Sequence, residues 1–217
     1  MSQIIVLQSH SEAAEWLFCL KINKAQNRIS SCVNKIGRLY KLSQSADIGA
    51  ILGVYKCYCE IRKVEAYFDK EIARLEKLIR SKVKDKYEYE PFPHSAVRLR
   101  VANPIQTAFY HILKKFDRLM CLCETCVSLS IFKKQRVFVI KTKQYKRTVL
   151  RLVTVISQLN PDLKKPLDTL RPDECEILMM ALHSEVMPQL PDPIIRVIET
   201  HIKKTSSITK DVKGQAA

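Results

Sequence analysis

The chain has 217 residues, of which 47% are hydrophobic and 27% charged, and its formal net charge is +15. This composition suits a soluble protein with a buried core, and no apolar run approaches the roughly 20 residues of a membrane span. Only 4 glycines occur, which argues against glycine-rich nucleotide loops, and the first residues lack the basic start of a signal peptide, so we expect a cytoplasmic protein.

The N-terminal pattern predicts a short strand followed by one helix. Residues 4–7 are apolar and β-branched, and Ser9 and Glu12 have the spacing of a capping box. Apolar residues then recur at helical spacing as far as about Leu42, and 43–47 has the composition of a break. The predicted apolar face consists of Trp16, Leu17, Leu20, Ile22, Ile29, Val33, Ile36 and Leu39.

A long helix is predicted over residues 48–86. Its apolar stripe is opposed by a mixed-charge face that is typical of a solvated helix surface. Gly49 and Gly53 lie on one face and favour close packing of another helix. The charged face holds Glu71, Arg74, Glu76, Lys77 and Arg80.

The proline-containing segment 87–95 predicts a loop and a boundary near residue 90, which separates an N-terminal scaffold (1–90) from a basic helical core (91–204). Val97 to Val101 alternate between apolar and basic residues, as in a half-buried strand. Asn103 and Pro104 then supply an N-cap and a proline at the first helical position, which predicts a helix to about Ser130.

Two structures fit the basic segment that follows. Residues 135–141 are β-branched and aromatic enough for an extended piece leading into a helix over 143–158, although the apolar positions from Ile140 onward keep a helical period. We favour the extended piece. If instead the whole segment is one helix, it forms a phosphate-binding face, and other residues of the protein read the DNA sequence.

The C-terminal part is divided by prolines. Residues 161–172 form a linker, and Pro172, Asp173 and Glu174 start a helix that extends to about Val186. A last helix is predicted over 194–203, and 205–217 has the composition of a flexible tail.

No catalytic or metal-binding constellation emerges, so we predict neither an enzyme nor a cofactor. The 8 cysteines lie mostly in apolar helical pattern and are expected to be reduced core residues. Cys57 and Cys59 with Cys121, Cys123 and Cys126 leave a zinc or redox role open, but C-x-C spacing points two thiols to different faces of a helix. The histidines are scattered, with no nucleophile motif beside them. They are His10, His94, His111, His183 and His201.

The excess charge is concentrated in one part of the chain. Residues 103–160 hold 11 basic and 2 acidic residues, a net charge of +9, and no acid occurs between Thr125 and Pro161. One of the two acids is Asp117, which we expect to anchor a neighbouring arginine inside the fold.

A solvated helix face would interleave acidic with basic residues, so a polyanionic partner is the simpler explanation of this charge. An acidic membrane or an acidic protein surface would also fit it. We predict phosphate contacts from Lys133, Lys134, Lys143, Lys146, Arg147 and Arg151. Base-edge contacts are predicted from Gln135, Arg136 and Lys141. Phe138 and Tyr145 lie among these cations, and we expect Phe138 to belong to the core.

Residues 97–156 resemble the AcaB-like transcriptional regulators of bacterial conjugative plasmids and integrative elements. The matching features are Pro104 after a short extended piece, a helix containing Phe116-Asp117-Arg118-Leu119, a break at 130–134 and a basic amphipathic helix. The opening IIVLQSHSEAAEWLF is also similar to the strand and helix with which that family begins.

The resemblance implies a dimeric regulator that binds double-stranded DNA at transfer-gene promoters, through a module similar to the ribbon–helix–helix fold. In that fold one strand from each subunit pairs into a ribbon in the major groove. Residues 4–7 or 135–141 would supply the strand, and the second candidate has the polar side chains that base reading needs. The expected fold is mainly α with short β-strands. The rival expectation is a helical interaction module, such as a conjugation component or an effector, that docks an acidic protein.

Overall fold

The computed structural model describes residues 3–21, 27–83, 95–132, 135–160, 165–187, 189–192 and 194–203. Its elements are β1 (Gln3–Ser9), α1 (Glu12–Phe18), α2 (Arg28–Gln44), α3 (Ile48–Arg80), β2 (Ser95–Val101), α4 (Pro104–Ser128), α5 (Gln135–Gln158), α6 (Pro172–Leu182) and α7 (194–203). The predicted fold class, mainly α with short strands, is confirmed. None of the described helices is long and apolar enough to cross a bilayer.

The two predicted strands pair with each other inside one chain. β1 and β2 are antiparallel, with Ile5 opposite Leu99 and Val6 opposite Arg98. Leu7 and Leu99 are buried on the inner face of this sheet. The resemblance had implied that residues 4–7 or 135–141 pair with their copy in a second subunit, whereas the described partner of β1 is a strand about ninety residues later in the same chain.

The single helix predicted from Glu12 to about Leu42 is wrong, because two helices occupy this region. α1 is capped by Ser11, whose hydroxyl accepts from the backbone N–H of Ala14, while the predicted cap Ser9 shares a hydrogen bond with Ser95 instead. α2 begins after Asn27, whose side-chain oxygen accepts from two backbone N–H groups of the first turn. Asparagine is a strong N-cap, and apolar spacing does not reveal such an interruption.

Helices α3 and α4 form the centre of the molecule. They run in the same direction, since Lys115 of α4 lies 2.9 Å from Glu65 of α3 and Arg118 further along α4 donates to Glu76. The ring centroids of Phe68 and Phe116 are 6.4 Å apart between them. Helix α3 ends at Arg80 rather than at residue 86. Most of the predicted 87–95 loop lies outside the described residues.

Small residues let α2 approach its neighbours. A Cβ atom at Gly53 of α3 would lie 3.4 Å from Leu39 of α2, so Gly53 faces another helix, but at an ordinary van der Waals distance that does not require a glycine. A Cβ atom at Gly37 of α2 would lie only 2.6 Å from the buried amide nitrogen of Gln106 on α4. That amide donates to the carbonyl of Val33 at 2.7 Å, which joins α2 to α4 through a buried polar contact.

Asp117 anchors the fold as predicted, but its partners are His10 and Ser11 rather than an arginine. Both carboxylate oxygens lie 3.0 Å from the backbone nitrogen of His10, and one also lies 2.7 Å from the imidazole Nδ1. The Ser11 hydroxyl donates to the other oxygen at 3.0 Å. Asp117 therefore holds the end of β1 and the N-terminus of α1 against α4, where the helix dipole favours a negative charge.

We expect Asp117→Ala to lower the free energy of unfolding by about 2–3 kcal/mol, because it leaves the His10 and Ser11 donors without their acceptor in a largely buried site. Asp117→Asn keeps one acceptor oxygen and should lose about half as much. Urea denaturation of both variants measures the effect. A loss below about 0.5 kcal/mol for the alanine variant would contradict this role.

Helix α6 packs against α3, and Ile194 and Ile198 of α7 lie beside Ile48 at the start of α3. Glu174 in the first turn of α6 accepts from the backbone N–H of Arg171 at 3.1 Å and from Lys165 at 2.5 Å. The hydrogen bond from Lys165 outweighs the opposing effect of burial and lowers the pKa of Glu174 to about 2. Helix α6 ends at Leu182, before the predicted Val186, and α7 (194–203) is confirmed. The predicted tail, 205–217, lies outside the described residues.

Candidate nucleic-acid interface

The basic segment is one continuous helix, α5, so the extended piece predicted for 135–141 is wrong. One side of α5 is buried against α2, α3 and α4 from Tyr145 onward. The β-branched residues Val137, Val139 and Ile140 are exposed, so their burial does not account for the helical state of 135–141. Phe138 packs against the core as expected. The fully buried side is formed by Tyr145, Val149, Leu152, Val153 and Ile156.

Four of the predicted site residues share the opposite, exposed side of α5. Arg136, Lys143, Arg147 and Arg151 are exposed, and their spacing of seven, four and four residues places them on one face of the helix. We call these four residues the basic stripe. At 1.5 Å of rise per residue the stripe is about 22 Å long. Gln135 is also exposed, at the start of the helix.

Lys146 lies beside the stripe and contacts α1. Its Nζ atom is 5.1 Å from the ring centroid of Trp16, a cation–π contact. Trp16 was predicted in the apolar face of a longer helix, but 46% of its surface is exposed. An aromatic ring therefore borders the cations of α5, which the sequence did not indicate.

Lys141 points to the other side of α5, into a buried polar cluster. Its Nζ atom lies 3.1 Å from Glu71 of α3, and the hydroxyl of the buried Tyr145 donates to the same carboxylate oxygen. Arg74 lies 3.4 Å from that oxygen. Glu71 is only 8% exposed, so its predicted place on a solvated face is wrong.

The electrostatics of this cluster favour a charged Glu71. Burial alone would raise the pKa of its carboxyl, but the hydrogen bonds from Tyr145 and Lys141 hold that pKa below its ordinary value. Residues 125–161 contain no acidic residue, but Glu71 of the neighbouring helix α3 neutralises one of their cations, Lys141. A base-edge contact by Lys141 would require this ion pair to break.

Cations from other helices extend the surface around the stripe. Arg28 and Lys35 of α2 donate to Thr154 and to the carbonyl of Ser157 near the end of α5. Lys63 of α3 acts electrostatically on Arg151 and is itself paired with Glu60. No local pattern in the sequence indicates these neighbours, because they lie more than 70 residues before the start of α5. Lys133 and Lys134, also predicted to contact phosphate, lie outside the described residues.

The cysteines form no metal site within the described part of the chain, where no three potential ligands come together. Cys32, Cys57, Cys121, Cys123, Cys126 and Cys175 are free and buried, as expected of reduced core residues. Burial raises the pKa of the Cys57, Cys121 and Cys123 thiols to about 12. Such thiols stay protonated at neutral pH, which disfavours both metal binding and redox reactivity.

The chain was compared with known proteins by sequence and by fold. No protein-family model matches the sequence, and no curated protein matches it. Among solved structures, the crystal structure of selenomethionine-containing AcaB from uropathogenic E. coli is similar, with a TM-score of 0.58 and 18% sequence identity. The match covers 94% of this chain and 98% of that one. The chain therefore shares the overall fold of AcaB over almost its whole length.

Proposed function

We propose that this chain is a DNA-binding transcriptional regulator of a conjugative or integrative mobile element, and that it contacts duplex DNA through the basic stripe. The observation that carries the proposal is the stripe itself, four exposed cations on one face of a helix that contains no acidic residue. The fold shared with AcaB over 94% of the chain supports it, as does the resemblance of residues 97–156 to the AcaB-like regulators.

Charge of one sign that is concentrated on one helix face destabilises the helix. Lys143, Arg147 and Arg151 are like charges at i, i+4 spacing, which destabilises an isolated helix by about 0.2–0.5 kcal/mol per pair. Phosphates offset this repulsion, and the release of condensed counterions supplies affinity. A stripe of about 22 Å faces several phosphates, because successive charges on one strand lie about 3.4 Å apart along the duplex axis.

The DNA sequence would be read by side chains other than Lys143, Arg147 and Arg151. Gln135 and Arg136, at the start of α5, are the candidates for base edges on the helix. The outward face of the β1–β2 sheet adds Arg98 and Arg100, both exposed. A two-stranded ribbon fits the major groove, and arginine is the residue that most often binds guanine there. We further expect a cytoplasmic homodimer, which would present two copies of the stripe to one duplex.

A fluorescence-anisotropy titration with duplex DNA tests the proposal. Four phosphate contacts, from Lys143, Lys146, Arg147 and Arg151, predict that log K falls with log salt with a slope of about −3.6. Affinity should then drop roughly 150-fold between about 50 and 200 mM salt. Duplexes carrying promoters from the neighbourhood of the gene should bind more tightly than random duplexes. Affinity that is independent of salt would refute the proposal.

The rival function, a helical interaction module with a basic docking face, fits the same stripe. It predicts weak, sequence-independent binding to DNA and tighter binding to an acidic protein surface. The two functions therefore differ in the preference between promoter and random duplexes, which only the regulator should show.

A further inference from the structure

A cavity of about 530 Å³ opens between α3, α4 and the end of β1, away from the basic stripe. Its volume lies in the range of small-molecule sites, about 300–1,000 Å³. The apolar part of its wall comes from Ile79 at the end of α3 and from Cys121 and Leu122 of α4. The cavity lies at the junction of two helices and a strand, so regular secondary structure forms its walls.

Cations dominate the polar part of the cavity wall. Arg80, Lys114, Lys115 and Arg118 line it, against two carboxylates, those of Glu76 and Asp117. Lys115 is held by Glu65 and Asp69, which lie outside the lining. The other three basic side chains are exposed, and the second carboxylate of the lining, that of Glu76, pairs with two of them.

The two carboxylates are already engaged with protein donors. Asp117 accepts from His10 and Ser11, as described above. Glu76 accepts a hydrogen bond from Arg118, and Arg80 also lies 4.0 Å from its carboxylate. Two guanidinium groups thus share one carboxylate. A second anion beside Glu76 would give each of the two guanidinium groups an anionic partner of its own.

We propose that this cavity binds a small amphipathic organic anion, a carboxylate or sulfonate attached to an aromatic or alkyl body. The anionic group pairs with Arg118 at the rim, and the apolar body covers Ile79 and Leu122. Arginine suits this role because its planar fork binds such groups through two parallel hydrogen bonds. The inference is independent of DNA binding, because no residue of the basic stripe lines the cavity.

The probe for the test is 1-anilinonaphthalene-8-sulfonate, an aromatic sulfonate whose fluorescence rises in apolar surroundings. We expect saturable binding to one site on the full chain, at least tenfold tighter than binding of the neutral analogue N-phenyl-1-naphthylamine. Arg118→Glu should weaken binding of the anion at least tenfold and leave binding of the neutral analogue within twofold. Arg118→Gln, which removes the charge without adding repulsion, should weaken it by a smaller factor.

Lys77→Glu is the matched control, because Lys77 is exposed on α3 and does not line the cavity. It makes the same change of charge and should leave the affinity for the anion within twofold of the unchanged chain. Circular dichroism melts establish that each variant is folded. Equal effects of Arg118→Glu and Lys77→Glu, equal affinity for the anion and the neutral analogue, or no binding by the unchanged chain would each overturn the inference.

Discussion

Reversing both Arg147 and Arg151 to glutamate is expected to lower the affinity for duplex DNA at least ~100-fold at about 100 mM salt. Each substitution removes a cation from the phosphate face and places a carboxylate there. The slope of log K against log salt should become shallower by about 2, since roughly one unit is lost for each phosphate contact. Promoter and random duplexes should lose affinity by similar factors, because phosphate contacts carry no sequence information.

Arg147 and Arg151 are better targets than Lys146, which also contacts Trp16 and whose reversal would disturb the packing of α1. Both arginines are exposed, so the melting temperature should change little. The matched control is the double reversal of Lys70 and Lys77, exposed cations seven residues apart on α3. It makes the same change in net charge. Similar losses in the two double variants would mean that total charge, and not the stripe, governs binding.

Glu71→Ala is expected to lower the free energy of unfolding by about 3 kcal/mol. Glu71 is the acceptor shared by Lys141 and by the buried hydroxyl of Tyr145, so its removal leaves a half-buried ammonium and a buried donor without their partner. Equilibrium denaturation in urea measures the loss. A value below about 1 kcal/mol would show that the polar cluster does not hold α5 on α3.

Two further variants provide reference values for this loss of unfolding free energy. Tyr145→Phe removes one donor and keeps the Glu71–Lys141 pair, so it should cost about 1 kcal/mol. Glu60→Ala removes an ion pair with the exposed Lys63 on the same helix and should cost less than about 0.5 kcal/mol.

The pH dependence of the Glu71→Ala effect follows from the lowered pKa of Glu71. Its ordinary value is 4.5, and the folded value is lower. The stabilisation is therefore complete well above pH 4.5 and is lost as the pH falls through the folded pKa. The unchanged chain and Glu71→Ala should converge in stability at acidic pH.

Elements that are marked by local chemistry could be predicted from the sequence. Asn103 followed by Pro104 placed the start of α4 correctly, because capping and a fixed φ act within a few residues. The alternating pattern of residues 97–101 gave β2. The gap between α1 and α2 was missed, since apolar spacing continues across it and the signal lies in the single cap Asn27.

The site was only partly predictable for a related reason. The basic residues of α5 lie close together in the sequence, so the basic segment could be predicted without a structure. Whether each cation faces solvent depends on partners far away in sequence, as Lys141 shows through its pairing with Glu71. The helical state of 135–141 runs against the local preference of its β-branched residues, three of which, Val137, Val139 and Ile140, are exposed.

The pairing of β1 with β2 also has a consequence for synthesis of the chain on the ribosome. Residues 3–9 are made about ninety residues before their partner 95–101. At a translation rate of about 5–20 residues per second, roughly 5–18 seconds pass between the synthesis of β1 and that of β2. During that time the backbone N–H and C=O groups along the edge of β1 have no strand to pair with, and unpaired edges of this kind template aggregation. The sheet therefore closes late, after α1, α2 and α3 have left the ribosome.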